Sequence, residues 1–502
     1  MINRGIRIVS DGTFGQSLRF GKNSFKPFIP RHKLVFLRSF FATMTVDNFT
    51  VYEGSFVHST GLKTLEVVPH GFVGVHNGTI KFFEKSSPTN SLSREDIVEK
   101  YKLEGTMNFE VCAKNSFFFP GFFDTHIHAP QFPNSGIFGD STLLDWLNKY
   151  TFPLESQFSD VEKASEVYNK VVDVTLGNGT TTASYYTTVH VESTNLLADI
   201  ALTKKQRAFI GRACMFEGCP DYYRDGSEET AKQSDLEVID HVNSIDPKHE
   251  VVTPILTPRF ALSCSEDIMK WEADVARQRD LPCQTHISEN EGEIEAVRQK
   301  YPSSKSYADV YDQAGLLTSK TILAHAVHLS DAEKELISVR RSGISHCPIS
   351  NSSISSGLAP VRSLLDKGIK VGLGTDVSGG YSPSILEVAR QALTTSRQLT
   401  FLTKDDHNNL SVAEVLYLAT LGGAQVCNLD NRLGNFEVGK QWDAQLVNLQ
   451  VKNSPVHIFD FALPKDATTR LNYLVQKWLF TGDDRNTAKV WVGGATVVDK
   501  AI

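Results

Sequence analysis

The sequence lacks the features of a membrane protein, a disulfide-rich secreted protein or a nucleic-acid-binding protein. It contains no run of roughly 18 apolar residues, the length that a membrane-spanning helix needs. Its seven cysteines include no CxxC pair, which fits thiols packed in a reducing compartment. Its formal net charge of −7 argues against a phosphate backbone as the main partner. We therefore expect a cytoplasmic protein that binds neither membranes nor nucleic acid.

Acidic residues are also scarce at the N-terminus. Residues 1–43 contain eight lysines and arginines but only one acid, Asp11. This basic N-terminal extension is typical of a mitochondrial transit peptide, which would redirect the protein from the cytoplasm. The alternative is an extension that precedes a translation start at Met44, immediately before the first strand pattern. In either case we exclude the extension from the prediction of the fold.

Two segments, 44–118 and 431–502, carry short apolar runs broken by polar turns, and this pattern predicts β-strands. The Asn77-Gly78 pair lies between the runs GFVGVH and TIKFFE and is typical of a tight hairpin. The same strand and turn pattern returns in AKVWVGGATVVD near the C-terminus. We expect the two segments to pack into one small β-sandwich.

Residues 119–430 have a different pattern, in which apolar, β-branched runs alternate with stretches of helical spacing. Eight such strands with intervening helices predict an α/β fold of the (β/α)8 TIM-barrel type. A doubly wound sheet is the alternative, but no glycine-rich phosphate loop follows the first strand. The eight predicted strands lie within residues 117–128, 180–188, 207–216, 251–260, 281–290, 320–329, 342–351 and 369–380.

Ionisable side chains collect at the carboxyl ends of these predicted strands, where a barrel carries its reactive groups. His126 and His128 lie two positions apart at the end of the first strand, so both rings point to the same side. His286, His325 and Asp376 lie at the ends of the fifth, sixth and eighth strands. Three imidazoles and one carboxylate suit Zn2+ or Fe2+ and leave a coordination position for water. This combination predicts a hydrolase.

An ordered series of motifs resembles the amidohydrolase superfamily over nearly all of residues 50–499. The resemblance implies a metal-dependent barrel that hydrolyses guanine to xanthine and ammonia. With it we expect guanine as the small-molecule partner and a homodimer as the assembly. The motifs that carry the resemblance are PGFFDTHIHAPQ, STLLDWLNKYTFP, TPRFALSCSE, THISENEGEI, LAHAVHLS, HCPISNSS, VGLGTDVSGGYS, ATLGGAQ and GDDRN.

The resemblance also implies a role for each residue of the expected site. The fourth predicted strand, residues 251–260, has no lysine that could bridge a second metal, so we expect one zinc ion per chain. The role of general base stays open between Glu289 and Asp376. The implied metal ligands are His126, His128, His286 and Asp376, the implied catalytic residues are Glu289, Asp376 and His325, and the implied substrate-binding residues are Gln131, Arg259, Phe260, His128 and His286.

Two other functions remain open from the sequence. A related amidohydrolase could act on another heterocycle, such as cytosine, a triazine or a thio-adenosine derivative. An inactive barrel could instead serve as a binding or assembly protein, but such a protein would normally have lost a ligand or the proton shuttle, and none is missing. Residues 450–475 match the family pattern poorly, and Tyr381 either lines the mouth of the site or only packs.

Overall fold

The computed structural model describes residues 49–86, 90–103 and 107–500. The basic N-terminal extension, with the targeting role that we considered for it, lies outside the described residues. In the described part of the chain, no helix is long and apolar enough to cross a membrane.

Strands and helices alternate through most of the described chain. In chain order the strands are β1 (Phe49–Gly61), β2 (Thr64–His76), β3 (Thr79–Lys85), β4 (Met107–Val111), β5 (Ser116–Pro120), β6 (Phe122–His128), β7 (Thr180–Tyr186), β8 (Arg207–Gly211), β9 (Val252–Pro254), β10 (Cys283–Ile287), β11 (Thr321–His325), β12 (Gly343–His346), β13 (Lys370–Leu373), β14 (Ala444–Asn448), β15 (Thr487–Val492) and β16 (Ala495–Asp499). The α-helices are α1 (Arg94–Tyr101), α2 (Leu143–Trp146), α3 (Phe152–Glu155), α4 (Val161–Gly177), α5 (Val191–Thr203), α6 (Glu228–Ile245), α7 (Glu266–Arg279), α8 (Glu291–Lys300), α9 (Tyr307–Ala314), α10 (Asp331–Arg340), α11 (Pro348–Ser353), α12 (Val361–Asp366), α13 (Ile385–Thr403), α14 (Val412–Tyr417), α15 (Gly423–Val426) and α16 (Ala467–Thr481).

Strands from both ends of the described chain lie in one mixed sheet. Its order among the described strands is β16-β15-β14-β5-β1-β2-β3, and β4 runs parallel to β1. Strand β14 joins the two segments because it pairs antiparallel with β5, with Ala444 opposite Pro120. The hairpin predicted at Asn77-Gly78 is confirmed, since β2 and β3 pair antiparallel on either side of it. Stacked aromatic rings fill the core beside this sheet, with the centroids of Tyr52 and Trp442 4.2 Å apart.

The remaining described strands, β6 to β13, are all parallel to their neighbours. They form two four-stranded sheets in sequence order, β6-β7-β8-β9 and β10-β11-β12-β13. A parallel bridge between Leu256 and Cys283 connects the first sheet to the second. At the other edge of each sheet, β6 meets the loop after β13, where the backbone N–H of Asp376 donates to the carbonyl of His126 at 2.8 Å. These contacts bring the carboxyl ends of β6, β10, β11 and β13 together.

Each of the eight strands predicted between residues 117 and 380 contains an observed strand, but most of the observed strands are shorter. The prediction at 251–260 contains only β9, because Pro254 and Pro258 lack the N–H that a strand ladder requires. The prediction at 342–351 was wrong in its second half, where α11 begins at Pro348. Proline suits the first turn of a helix, whose N–H groups have no partner within the helix.

One of the stretches of helical spacing, SEDIMKWEADVARQRD at residues 265–280, forms α7. The side chain of Ser265 accepts a hydrogen bond from the N–H of Ile268, so it caps the helix as its position in the sequence predicts. Glu266 and Asp267 follow in the first turn, where negative charge stabilises the exposed N–H groups.

Candidate active site

Three histidine rings meet at the carboxyl ends of β6 and β10. His126 and His128 lie on the same face of β6, as their spacing predicts, and both are buried. The ring of His128 faces His286 of β10, with the two Nε2 atoms 3.2 Å apart. Strand pairing alone could not have predicted this contact, because β6 and β10 belong to different sheets.

Asp376 joins these rings from the loop after β13. Its Oδ1 atom lies 3.2 Å from Nε2 of His126 and 3.5 Å from Nε2 of His128. Asp124 on β6 holds the preceding residue, since its carboxylate accepts hydrogen bonds from the N–H and the hydroxyl of Thr375, at 3.0 and 2.5 Å. Burial would raise the pKa of Asp376, but the nearby histidines, His126 first, hold it well below its usual range. Asp376 is therefore anionic.

The ring nitrogens in this group are suited to a metal ion. Nε2 of His126 and Nε2 of His128 both face Oδ1 of Asp376, and Nε2 of His286 lies next to that of His128. Burial, with the neighbouring His126, holds the pKa of both His128 and His286 well below the usual value, so both rings are neutral. Neutral imidazoles beside a carboxylate are ligands that a divalent cation prefers. His126, His128 and Asp376 thus form a candidate metal site, which His286 adjoins.

His325 ends β11 and faces two carboxylates. Its Nδ1 lies 2.9 Å from Oδ1 of Asn351, and because an amide oxygen only accepts, Nδ1 carries a proton. Its Nε2 lies 3.4 Å from Glu289 and 3.8 Å from Asp376. Burial would lower the pKa of His325, but the charges of Glu289 and Asp376 outweigh it and raise the pKa. His325 can therefore hold a proton next to these two acids.

Glu289 follows β10 and has the properties of a proton-transfer group. The hydroxyl of Ser356 donates to its Oε1 at 3.0 Å, and its own backbone N–H donates to Glu293 at 2.9 Å. Burial raises the pKa of Glu289 to about 7, although His325 opposes this shift. A carboxyl group with a pKa in this range can both accept and donate a proton near neutral pH.

A pocket opens onto these side chains. Arg259 and Phe260, which follow β9, line it together with Gln131 from the short helical turn Ala129–Asn134. The Phe260 ring meets His286 edge-on at a centroid distance of 6.5 Å. The structure thus brings the residues singled out by the sequence to one place, since His126 lies beside this lining. The other apolar residues of the lining are Leu143, Trp146, Leu147 and Ile354.

Sequence reasoning missed the residues that form hydrogen bonds to the side chains of the candidate site. The Glu155 carboxylate contacts Arg259, while Asn351 and Ser356 contact His325 and Glu289 as described above. Asn351 lies inside the motif HCPISNSS, and Glu155 lies two residues after STLLDWLNKYTFP. Their positions in or next to these motifs are visible in the sequence, but the motifs do not show which distant residues they contact.

Two features left open by the sequence lie outside the pocket lining. Tyr381 is 43% exposed, and its hydroxyl donates to Glu387 at 3.2 Å. The poorly matched region, residues 450–475, contains the turn Asp460–Ala462 and the beginning of α16. Neither feature contributes a described side chain to the lining.

Comparison with known proteins places this chain in a family. The model of the amidohydrolase family matches residues 117–497, and the chain therefore belongs to the amidohydrolase family. A probable guanine deaminase of Schizosaccharomyces pombe is 49% identical over 448 residues, which cover 89% of this chain and 83% of that protein. The guanine deaminase of Mus musculus is 44% identical over 450 residues, which cover 89% of this chain and 96% of that protein.

The fold is also similar to a solved structure. The guanine deaminase from C. acetobutylicum, a crystal structure with guanine bound in the active site, superposes with a TM-score of 0.80 at 31% sequence identity. The match covers 90% of this chain and all of the other.

Proposed function

We propose that this protein hydrolyses guanine to xanthine and ammonia. The bond between C2 and the exocyclic amine breaks, and C2 forms a new bond to the oxygen of water. The names of the relatives support this proposal. The observation that carries it is the pocket itself: Glu289, suited to proton transfer, and Arg259, suited to the acceptor atoms of a purine, line the same cavity as the candidate metal site.

We also propose that the site holds one zinc ion, with His126, His128, His286 and Asp376 as its ligands. The converging Nε2 atoms and the anionic carboxylate fit such an ion. A zinc ion supplies a Lewis acid that lowers the pKa of water to about 7. The absence of lysine from residues 251–260 supports a single metal.

Glu289 is the proposed proton carrier of the reaction. It removes a proton from the attacking water and delivers it to the ring nitrogen next to C2, where negative charge develops. It then takes the second proton of the water from the new hydroxyl on C2 and passes it to the leaving amine, so that ammonia departs and the C2 carbonyl forms. His325 and Asp376 hold the water for attack, and their contacts with one another and with Glu289 keep these groups in one network. Asp376 remains the alternative acceptor of the first proton.

Recognition of guanine is assigned to the other side of the pocket. Arg259 has only N–H donors, which suit the acceptors O6 and N7 of guanine. Phe260 provides an aromatic face beside His286, and His128 and His286 border the substrate from the metal side. Gln131 can both donate and accept, which suits a purine edge with both kinds of group.

The architecture that we propose is a (β/α)8 barrel with a small β-sandwich. Strands β6 to β13 form the barrel of residues 119–430, supported by the bridge at Leu256 and by the hydrogen bond that joins Asp376 to β6. Residues 44–118 and 431–502 form the sandwich, supported by the pairing of β5 with β14. The basic segment 1–43 is a separate extension.

For the assembly we propose a homodimer in the cytoplasm, with a mitochondrial location as the alternative if residues 1–43 act as a transit peptide. Apolar side chains exposed near the C-terminus support an interface, since Phe459 and Phe461 are 57% and 91% exposed. All seven cysteines are free thiols, which fits a reducing compartment.

The test is an assay of the purified protein with guanine, in which xanthine and ammonia are measured together. Cytosine, a triazine and a thio-adenosine derivative serve as competing substrates. We expect equal amounts of xanthine and ammonia from guanine and slower reactions with the others. Absence of product from guanine with metal-loaded protein would overturn the proposed function.

A further inference from the structure

Glu155 is a buried carboxylate behind the pocket wall. It lies at the end of α3, has no exposed surface and is not part of the pocket lining. Three side chains donate four hydrogen bonds to its two oxygens, at distances between 2.6 and 3.1 Å. The donors are Arg259, Gln131 and Tyr223. Two of these three donors are the residues assigned above to recognition of the purine.

Glu155 fixes the direction of the Arg259 guanidinium. Both terminal nitrogens of Arg259 point at the carboxylate, at 2.6 and 3.1 Å, in the paired geometry typical of arginine and a carboxylate. The guanidinium also lies 5.3 Å from the centre of the Phe152 ring, in the same helix as Glu155. Because both groups are buried, neither charge is tolerated without the other. The orientation of the remaining N–H groups is therefore fixed.

Glu155 also decides which way the Gln131 amide faces. A carboxylate only accepts, so the atom 2.8 Å from Glu155 must be the amide nitrogen of Gln131. The amide oxygen consequently accepts from the backbone N–H of Ser378, at 3.2 Å. The face that Gln131 presents to the pocket is thus set by an acid that lies outside the pocket.

From these contacts we propose that Glu155 is a positioning residue that sets purine specificity by holding Arg259 and Gln131 in their recognition geometry. This inference rests on the proposed reaction with guanine. Glu155 has no contact with the candidate metal site, so its effect is on substrate binding and not on metal content. The opposite charges of Glu155 and Arg259 cancel, so the pocket also stays suited to an uncharged purine.

The test is Glu155→Gln in the full chain. The amide keeps the shape, but its NH2 group meets N–H donors of Arg259 or Gln131 and repels them. We expect KM for guanine to rise roughly 10- to 100-fold, as for the loss of a charged hydrogen bond, while kcat falls much less. Zinc content should stay at the parent level. Binding of 2-aminopurine, which lacks O6, is measured as a competitive inhibition constant and should change less than KM for guanine.

Glu414→Gln is the matched control, because Glu414 forms a buried ion pair with Arg362 at 2.6 Å away from the pocket lining. We expect it to lower the melting temperature without changing KM. An unchanged KM in Glu155→Gln, or an equal loss for guanine and 2-aminopurine, would overturn the inference. If Glu155→Gln does not fold, Glu155→Asp is measured by the same criteria. A parent protein without activity on guanine contradicts the proposed function instead, which the assay of the parent alone detects.

Discussion

Nε2 of His286 presents its lone pair to His128 across a gap of 3.2 Å. The reason lies on the opposite side of the ring, where Nδ1 is 2.6 Å from the carbonyl oxygen of Arg259. A carbonyl only accepts, so the proton of the neutral imidazole is on Nδ1. One backbone contact thus fixes both the tautomer and the orientation of a ring at the candidate metal site, and it links that ring to the residue assigned to purine recognition.

Metal content is the first prediction. Replacement of His286 by Ala should reduce bound zinc from the proposed one equivalent per chain to a small fraction and should abolish activity, because one of the four proposed ligands and its oriented lone pair are lost. Elemental analysis of the purified proteins measures this. His241→Ala is the control, since His241 pairs with Asp199 at the surface of α6 and should keep both metal and activity. Two equivalents of metal in the active parent would contradict the single-metal site.

Proton transfer by Glu289 is the second prediction. In Glu289→Gln the amide keeps the shape and the contact with Ser356 but cannot exchange a proton. We expect kcat to fall by about 10^2- to 10^4-fold, the usual contribution of general acid–base catalysis. Zinc content and melting temperature should stay close to those of the parent. If turnover were nearly unchanged, the proton carrier would be another group, and Asp376 would be tested next.

Part of the candidate site could be predicted from the sequence because strand ends and the spacing of neighbouring histidines are local patterns. His126 and His128 share a face through their spacing of two residues, and Asn77-Gly78 forms a hairpin by its own turn preference. Such features depend on a few neighbouring residues. They hold wherever the rest of the chain permits the same local backbone.

The supporting residues could not be predicted because their contacts join distant segments. Glu155 and Arg259 are 104 positions apart, and Asn351 reaches His325 across 26 positions. No local pattern distinguishes a buried acid that pairs with a distant arginine from a solvent-exposed acid. Strand lengths were overestimated for a related reason: apolar runs predict burial, but proline and loop hydrogen bonds decide where a ladder ends.

The pH dependence of stability is the third prediction, and it concerns Glu272 on α7. Its two oxygens are buried and have no hydrogen-bond partner within the described residues. Burial, with the charge of Asp235, raises its pKa well above the usual value. A raised pKa means that the folded protein binds the proton more tightly than the unfolded chain. The resulting stability is complete below the unfolded pKa of about 4.5 and is lost as the pH rises through the folded value.

Glu272→Gln removes this titration and keeps the volume. The melting temperature of the parent minus that of the variant should therefore decrease by roughly 1 to 3 °C as the pH rises from 5 to 8. Thermal unfolding of both proteins at several pH values measures the difference. A constant difference across this range would mean that Glu272 does not titrate there.

Discrimination between purines is the fourth prediction. Guanine has an acceptor at O6, whereas adenine has an amino group at C6, and Arg259 can only donate. Against adenine the guanidinium would face another donor, which costs about 1 to 3 kcal/mol when a charged group is left unsatisfied. The parent should thus deaminate guanine and leave adenine essentially unchanged. Arg259→Ala should reduce kcat/KM for guanine by about 10-fold or more at unchanged zinc content.

The variant Arg259→Ala has a second effect that its control must separate. It leaves the Glu155 carboxylate buried without its cation, and an unpaired buried charge is strongly destabilising. The double variant Glu155→Gln with Arg259→Ala removes that charge, so it should melt at a higher temperature than Arg259→Ala alone and remain equally poor with guanine. If the double variant regained parent-like kcat/KM for guanine, the loss in Arg259→Ala would come from the unpaired acid, and Arg259 would not be a recognition residue.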